Sequence, residues 1–398
     1  MYCQREDCKN VIFSSIKLKL KIKLILILVI LCCVVISCCL SCSGIISVQT
    51  ENFFTMDTFA ESTVITKSDT LGKEINKKIE EICIEADNRI SRTVETSEIF
   101  VLNHYLKMPD FSGTANIYEL SKETGELLRL AQTLQNLTND AFNPRLGDVI
   151  DLWDINNPDE NAVHVLPQKG EFYDILFQTQ AAVYDITQNG DEFGIINDFA
   201  VSTATFDLGG IGKGYALDCI ADYLRGEKMQ NSLVSLSSSI LALGKNKSGN
   251  MWSIGIKDPL NPEKICGYIS ATDKVVSVSG GYERFITING IDYAHIIDPE
   301  TGYPVDNDLL CVVVVMNAAS VSQPADKRER YKDNGAISDA ISTALYVMGK
   351  DKAIEFYNTR DYKGTTDLDF DMILFVKKDD DPKGYEIIPI NVIFNELD

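Results

Sequence analysis

Three short segments hold the residue types that chemistry requires. The first is Tyr293-Ala-His-Ile-Ile-Asp-Pro-Glu-Thr-Gly-Tyr-Pro304, where an apolar run around Ile296 and Ile297 delivers His295 to one edge and Asp298-Pro299 to a turn. The chain has three histidines, His104, His164 and His295, and only His295 sits in a dense polar motif, which makes it the candidate proton acceptor. A histidine that simply caps a turn is the alternative. The second segment is Asp207-Leu-Gly-Gly-Ile-Gly-Lys-Gly-Tyr215, followed by an apolar helical stripe of Ala216, Ile220, Ala221 and Leu224. Glycines let backbone N–H groups approach a ligand, a helix N-terminus favours anions, and Lys213 adds a point charge suited to phosphate. The spacing is neither a Walker A loop nor the dinucleotide fingerprint, so a tight turn packing helix on strand accounts for it equally well. The third, Ser338-Asp-Ala-Ile-Ser-Thr343, opens a helix on which Asp339, Ser342 and Thr343 present oxygens to one side. One carboxylate among neutral oxygens suits magnesium, which completes its shell with water and phosphate. Capping by Ser338 or Asp339, with Thr343 bonding back to a carbonyl, is the competing explanation.

Charge narrows the ligands. The 398 residues carry a formal net charge of −21. Nucleic acid and anionic lipid headgroups are repelled by such a surface, so a nucleotide needs a local cation, a lysine or a metal ion. The leader takes away positive charge: Lys17, Lys19, Lys21 and Lys23 precede the apolar run Leu24 to Ile36, and Val35-Ile36-Ser37-Cys38 reads as a lipobox. Residues 1–37 are therefore expected to be a lipoprotein signal peptide, Cys38 the lipidated residue, and 38–55 a tether at the outer face of a cell membrane. An uncleaved transmembrane anchor, or lipidation at Cys42, are the alternatives. Seven of the eleven cysteines lie in this leader; Cys83, Cys219, Cys266 and Cys311 show no paired or metal-ligand spacing and read as buried apolar residues.

The elements that must position these segments follow from periodicity. Met56-Asp57-Thr58 opens a strand-like stretch, and Leu71 to Ile90 and Glu126 to Asn136 carry helical stripes. Ala141-Phe-Asn-Pro-Arg-Leu-Gly147 is a turn-rich loop leading to Leu152-Trp153, Phe172 to Tyr184 reads as helix then strand, and 201–225 as strand, glycine turn and helix. Short β runs follow at Leu233–Leu236, Trp252–Ile256, Val275–Val278, Arg284–Ile288 and Cys311–Met316. Ser338 to Gly349 is a helix closed by glycine, Met372–Val376 a late strand, and Val321 to Gly335 a polar surface insertion. Clustered strands with separate helices give an α+β class. Trp153 and Tyr215 read as core aromatics rather than stacking platforms.

Taken in order, the segments resemble the ApbE family, the FAD:protein FMN transferases. The pieces are Met56-Asp-Thr58, Ser97-Glu-Ile99 with Leu102-Asn103, Ala141 to Gly147 with Leu152-Trp153, and Asp207 to Tyr215. They continue with Trp252-Ser-Ile-Gly-Ile-Lys-Asp-Pro259, Ser279-Gly-Gly-Tyr-Glu-Arg284, His295 to Pro304, and Asp339 to Gly349. The resemblance implies one α+β catalytic domain over 56–398, related to the T-fold, with mixed or antiparallel sheets and packed helices. It implies FAD as substrate, Mg²⁺ as cofactor, and transfer of FMN to a Thr or Ser hydroxyl of an acceptor flavoprotein, such as a membrane redox-complex subunit or exported reductase, with AMP released. By the same resemblance Asp339, Thr343, Ser342 and the Gly210 carbonyl hold the metal, and Met56, Phe142, Asn143, Pro144, Asp207, Lys213 and a position near Leu310 contact FAD. His295 would deprotonate the acceptor hydroxyl.

The chain departs from the family pattern in places. Leu236-Ser-Ser-Ser-Ile240 stands where the family often has Gly-Gly-Asp or Gly-Gly-Asn, Asn143-Pro144 stands for Asp-Pro, and Thr93 stands where an aromatic residue is usual. Two other functions fit the same residues: hydrolysis of FAD to FMN and AMP, and non-catalytic flavin binding.

Overall fold

The computed structural model describes residues 46–108, 117–155, 162–181, 183–197, 204–359 and 368–397. Cys38 and the leader lie outside the described residues. The backbone of the molecule is an eight-stranded antiparallel sheet built from β1 (Ser47–Thr55), β2 (Thr58–Thr66), β6 (Ser232–Leu236), β7 (Ser239–Leu243), β10 (Lys274–Gly280), β13 (Leu309–Asn317), β14 (Phe370–Lys377) and β15 (Tyr385–Ile390), in that spatial order. Period-two alternation splits its side chains between two cores. Val275, Val312 and Val314 face one way, and Val276, Val313 and Val315 the other.

The first face is covered by helices. Helix α1 (Asp69–Ile90) starts at Ser68, whose side chain accepts from Leu71 N, and buries the stripe Ile75, Ile79, Ile82 and Ala86. Helices α2 (Glu98–Leu106) and α3 (Lys122–Leu137) are likewise capped by Ser97 and Ser121. Short α4 (Gly147–Trp153) and α5 (Lys169–Gln180) pack a satellite cluster with Ile286, Ile288 and Ile297. Helix α6 (Gly209–Gly226) crosses α8 (Asn334–Thr359) over the sheet, and α7 (Ala325–Arg330) lies in the exposed segment between β13 and α8. The second face packs on a three-stranded sheet, β16 (Phe394–Glu396), β9 (Asn261–Ala271) and β8 (Trp252–Asp258). The remaining strands are β3 (Ile117–Leu120), β5 (Glu192–Asn197) and β4 (Tyr184–Asn189) in one sheet, and the hairpin β11 (Phe285–Ile288) and β12 (Ile291–Ala294). The described residues from Ser47 onward group as one α+β unit, and none of their helices is long and apolar enough to cross a membrane.

Four sequence expectations change. Residues 47–55, expected to lie in the tether 38–55, are instead the sheet's edge strand, fully paired with 58–66. Met56-Asp57 is not strand but the two-residue hairpin turn, both residues left-handed at φ +48° and +55°, the geometry that matches strand twist. The described residues 204–208 that lead into the glycine segment are not strand, and Gly209 to Gly214 form the first turns of α6 itself. The helix expected from Ser338 to Gly349 begins at Asn334 and resumes beyond Gly349, where φ +75° breaks the helical path and Asp308 Oδ1 accepts from Lys350 N at 3.0 Å.

Candidate active site

The site assembles where α6 crosses α8 at the end of the helix-covered sheet face. The crossing is close because both chains carry glycine there: a methyl on Gly214 would overlap the Gly335 carbonyl, and one on Gly335 would overlap the Gly214 carbonyl. Asp218 of α6 fixes the start of α8, accepting from Gly335 N and Ala336 N at 2.8 Å each. Burial pushes its carboxyl well above the usual range, against the pull of those two N–H groups.

Asp339 lies beyond the first turn of α8 and is 3% exposed. It does not cap its own helix. Its Oδ2 accepts from Gly214 N at 3.0 Å, and its Oδ1 from Ser239 Oγ of β7 at 3.2 Å. Thr343 and Ser342 both donate to the Asp339 carbonyl, at 3.2 and 2.9 Å, and both face Ser279 Oγ of β10, at 3.3 and 2.8 Å. Gly210 packs opposite Thr343: a Cβ added to it would stand 3.3 Å from Thr343 Oγ1 and 3.4 Å from the Phe142 ring. Thus Asp339, Thr343, Ser342, Gly210 and Phe142 converge. The donors are oxygens only, with one buried carboxylate held by neutral partners. That set suits a small hard cation such as magnesium. Among the described residues no three His, Cys, Asp or Glu side chains cluster, so a cation here depends on hydroxyl and carbonyl oxygens.

The loop 141–147 is pinned to the segment entering α6. Asp207 N donates to the Pro144 carbonyl at 2.8 Å, Gly147 N to the Thr205 carbonyl at 3.1 Å, and Arg145 Nε to the Ala204 carbonyl at 2.9 Å. Arg145 is buried against the Tyr184 and Phe206 rings, and burial draws its guanidinium down to about 10. Asn143 Oδ1 accepts from Arg145 N and shapes the turn. Asp207 Oδ1 accepts from Gly209 N, while its Oδ2 lies 3.4 Å from Arg92 Nε. Arg92 also pairs with Asp151 at 2.8 Å and donates to the Gly147 carbonyl. No motif in the sequence marks this arginine, and Thr93 beside it is exposed.

His295 reaches the same region from the other side. Its Nδ1 lies 3.1 Å from the Arg284 carbonyl, and its backbone N donates to that same oxygen. A carbonyl can only accept, so Nδ1 carries the proton and Nε2 keeps its lone pair. Burial, then the nearby Lys213 charge, lower the imidazole to about 4, so it is neutral at pH 7. Arg284 NH2 reaches the Asp57 carbonyl at 3.4 Å, which ties the Met56-Asp57 turn to the histidine, and the Met56 methyl lies beside Gly212 of α6. The rest of the motif is turn chemistry: Asp298 accepts from Glu300 N and Thr301 Oγ1, and Gly302 (φ +71°) fits against Phe172 and Leu176. Trp153, 1% exposed, donates to the Gly302 carbonyl at 2.8 Å, as a core aromatic. Tyr215 accepts from Arg89 NH1.

One expected contact lies elsewhere. Leu310 follows Leu309 at a β-bulge and packs into the cluster on the opposite sheet face, with Cys311 and Val313, away from the helices. Its carbonyl, not its side chain, approaches Gly280. The two other histidines are distant in role: His104 is exposed on α2, and His164 neighbours Asp154 at 3.9 Å.

Comparison with known proteins identifies the family and the fold. The model of the ApbE family matches residues 56–365. An FAD:protein FMN transferase of Vibrio cholerae is 25% identical over 322 residues, 81% of this chain and 84% of that protein. One of Treponema pallidum is 31% identical over 242 residues, 57% and 60% of the two chains. Among solved structures, the flavin transferase ApbE of Vibrio cholerae superposes with a TM-score of 0.66 at 22% identity, covering 87% of this chain and 98% of that one. The ApbE protein of Thermotoga maritima gives 0.68 at 24%, covering 87% and 97%. With the match spanning most of its length and the same fold in those structures, this chain belongs to the ApbE family.

Proposed function

We propose that this protein is a magnesium-dependent FAD:protein FMN transferase. The observation that carries the reading is a neutral His295 with Nε2 free, placed beside Lys213, one residue along α6 from the N–H that holds Asp339. The acceptor's Thr or Ser oxygen attacks the FMN phosphorus, its proton passes to His295 Nε2, and the phosphorus–oxygen bond to AMP breaks, with AMP leaving on the bridging oxygen. Lys213, next to Gly214 on α6, would supply a positive charge to the diphosphate. Phe142, the Asn143-Pro144 turn, Asp207 and Met56 would supply contacts to FAD; Leu310 supplies at most its backbone. A magnesium ion held by Asp339, Thr343 and the Gly210 carbonyl, with Ser342 beside them, would neutralise charge building on the phosphates. That local positive charge is what lets a chain of net charge −21 hold an anionic dinucleotide.

The acceptor is a flavin-bearing protein presenting a Thr or Ser outside the cytoplasm, and the chain is lipid-anchored through Cys38 at the extracytoplasmic membrane face. The lipobox supports this placement. The test uses purified full-length protein with FAD, Mg²⁺ and an acceptor domain, followed by intact mass. A gain of one FMN, abolished by chelation and by Asp339→Ala, supports the assignment. FMN and AMP in solution with an unchanged acceptor would replace it with an FAD hydrolase, and intact FAD with a flavin-binding protein.

A further inference from the structure

The helix-facing side of β7 and β10 changes character along its length. Leu241, Leu243 and Val275 are core, but the next positions on the same face are Ser239, Ser277 and Ser279, all buried. Ser239 and Ser277 are cross-strand partners, and Ser279 follows two residues on, so the register gathers three hydroxyls beneath α8. Each has its own partner. Ser277 Oγ meets Ser338 Oγ at 2.8 Å, Ser239 Oγ donates to Asp339 Oδ1 at 3.2 Å, and Ser279 Oγ meets Ser342 at 2.8 Å and Thr343 at 3.3 Å. Ser239 occupies the third place of the Ser237-Ser-Ser239 run that departs from the family pattern, and Ser237 itself takes φ +58° to turn the hairpin.

We propose that Ser239 and Ser279 are positioning residues that set cation affinity by fixing the side chains of Asp339 and Thr343. This rests on the magnesium reading above. A carboxylate gripped at one oxygen only, by Gly214 N, can still rotate about its side-chain bonds; the Ser239 hydroxyl on the other oxygen removes that freedom. Ser279 shares its one hydroxyl proton between Ser342 Oγ at 2.8 Å and Thr343 Oγ1 at 3.3 Å, whose own protons go to the Asp339 carbonyl, and so holds that pair of hydroxyls. Ser277 touches neither, and its bond to Ser338 fastens helix to sheet only.

The experiment titrates Mn²⁺ into the full-length protein without flavin, reading free ion by electron paramagnetic resonance. The Mg²⁺ concentration for half-maximal FMN transfer at saturating FAD is measured in parallel. Ser239→Ala and Ser279→Ala should each weaken both by about tenfold or more. The cation-free thermal midpoint and the KM for FAD at saturating Mg²⁺ should stay near wild type. Ser277→Ala should bind Mn²⁺ as wild type does, and Ser239→Thr, which keeps the hydroxyl, should restore affinity. Wild-type Mn²⁺ affinity in both alanine variants overturns the proposal, as does a loss that tracks the thermal midpoint and is not restored by Thr. A wild-type protein that ignores both Mn²⁺ and chelators overturns the magnesium reading along with it.

Discussion

The two halves of the site are held by different means. On the carboxylate side, Asp339 and Thr343 stand on a long helix whose place is set by a backbone crossing, Gly214 against Gly335, with Asp218 pinning the helix start. On the base side, His295 stands at the edge of a turn, placed by short-range bonds to the Arg284 carbonyl and by the Asp298 and Gly302 turn that follows. The first is precise because this crossing leaves no room for a side chain at either glycine. The second is precise because a few residues of sequence carry their own turn geometry. A site needs both: a fixed place for charge and a fixed direction for a proton.

Substitutions can break the two sides separately. His295→Ala should lower kcat for transfer by about 10²–10⁴, with the denaturant midpoint unchanged; a smaller loss would move the base elsewhere. Gly214→Ala forces the crossing apart and should cost roughly 3 kcal/mol of stability together with cation affinity, read by urea unfolding and Mn²⁺ titration. Wild-type stability in that variant would show the crossing is not the constraint. Leu310→Ala should cost about 2 kcal/mol while leaving the KM for FAD alone, because its side chain packs on the far face; a raised KM would return it to the site. Gly302→Ala, at φ +71° and against Phe172, should cost about 1–2 kcal/mol and misplace His295, lowering kcat more than it raises KM.

The acid limb of kcat/KM tests the base side. In the proposed base role His295 must be neutral, and its folded value lies at about 4, below the ordinary histidine value. Activity should therefore hold down through pH 6 and fall as pH drops through about 4. Removing the Lys213 charge in Lys213→Ala should move that limb upward. A limb at the ordinary histidine value in the wild type would mean the imidazole is not enclosed as described.

Legibility followed the same division. The helical stripes of α1 and α3, the strands β6, β8, β10 and β13, and the turn after His295 were all readable, because periodicity and turn residues are local signals. The order of segments along the chain made the family readable as well. Tertiary facts were not. Met56-Asp57 reads as strand because neither residue is glycine, yet both are left-handed. Leu310 was assigned by likeness, and a bulge at Leu309 turns its side chain to the other core. Arg92 carries no pattern around it; its role appears only once 147, 151 and 207 lie together. Ser277 and Ser279 did leave a trace: they alternate with Val276 and Val278, which places them on the Val275 face.

The edge strand β1 sets a further scale. The fold begins at Ser47, where the Ser47 hydroxyl donates to Asp69 at 2.6 Å and the strand is already paired. With Cys38 as the lipid anchor proposed above, eight residues lie between the anchor and Ser47, a stretch that can span at most about 30 Å. The enzyme would then patrol a shell one small-protein diameter deep. Within it, local concentration rather than tight binding selects an acceptor, and a target hydroxyl held farther from the membrane would be out of reach however well its sequence fits.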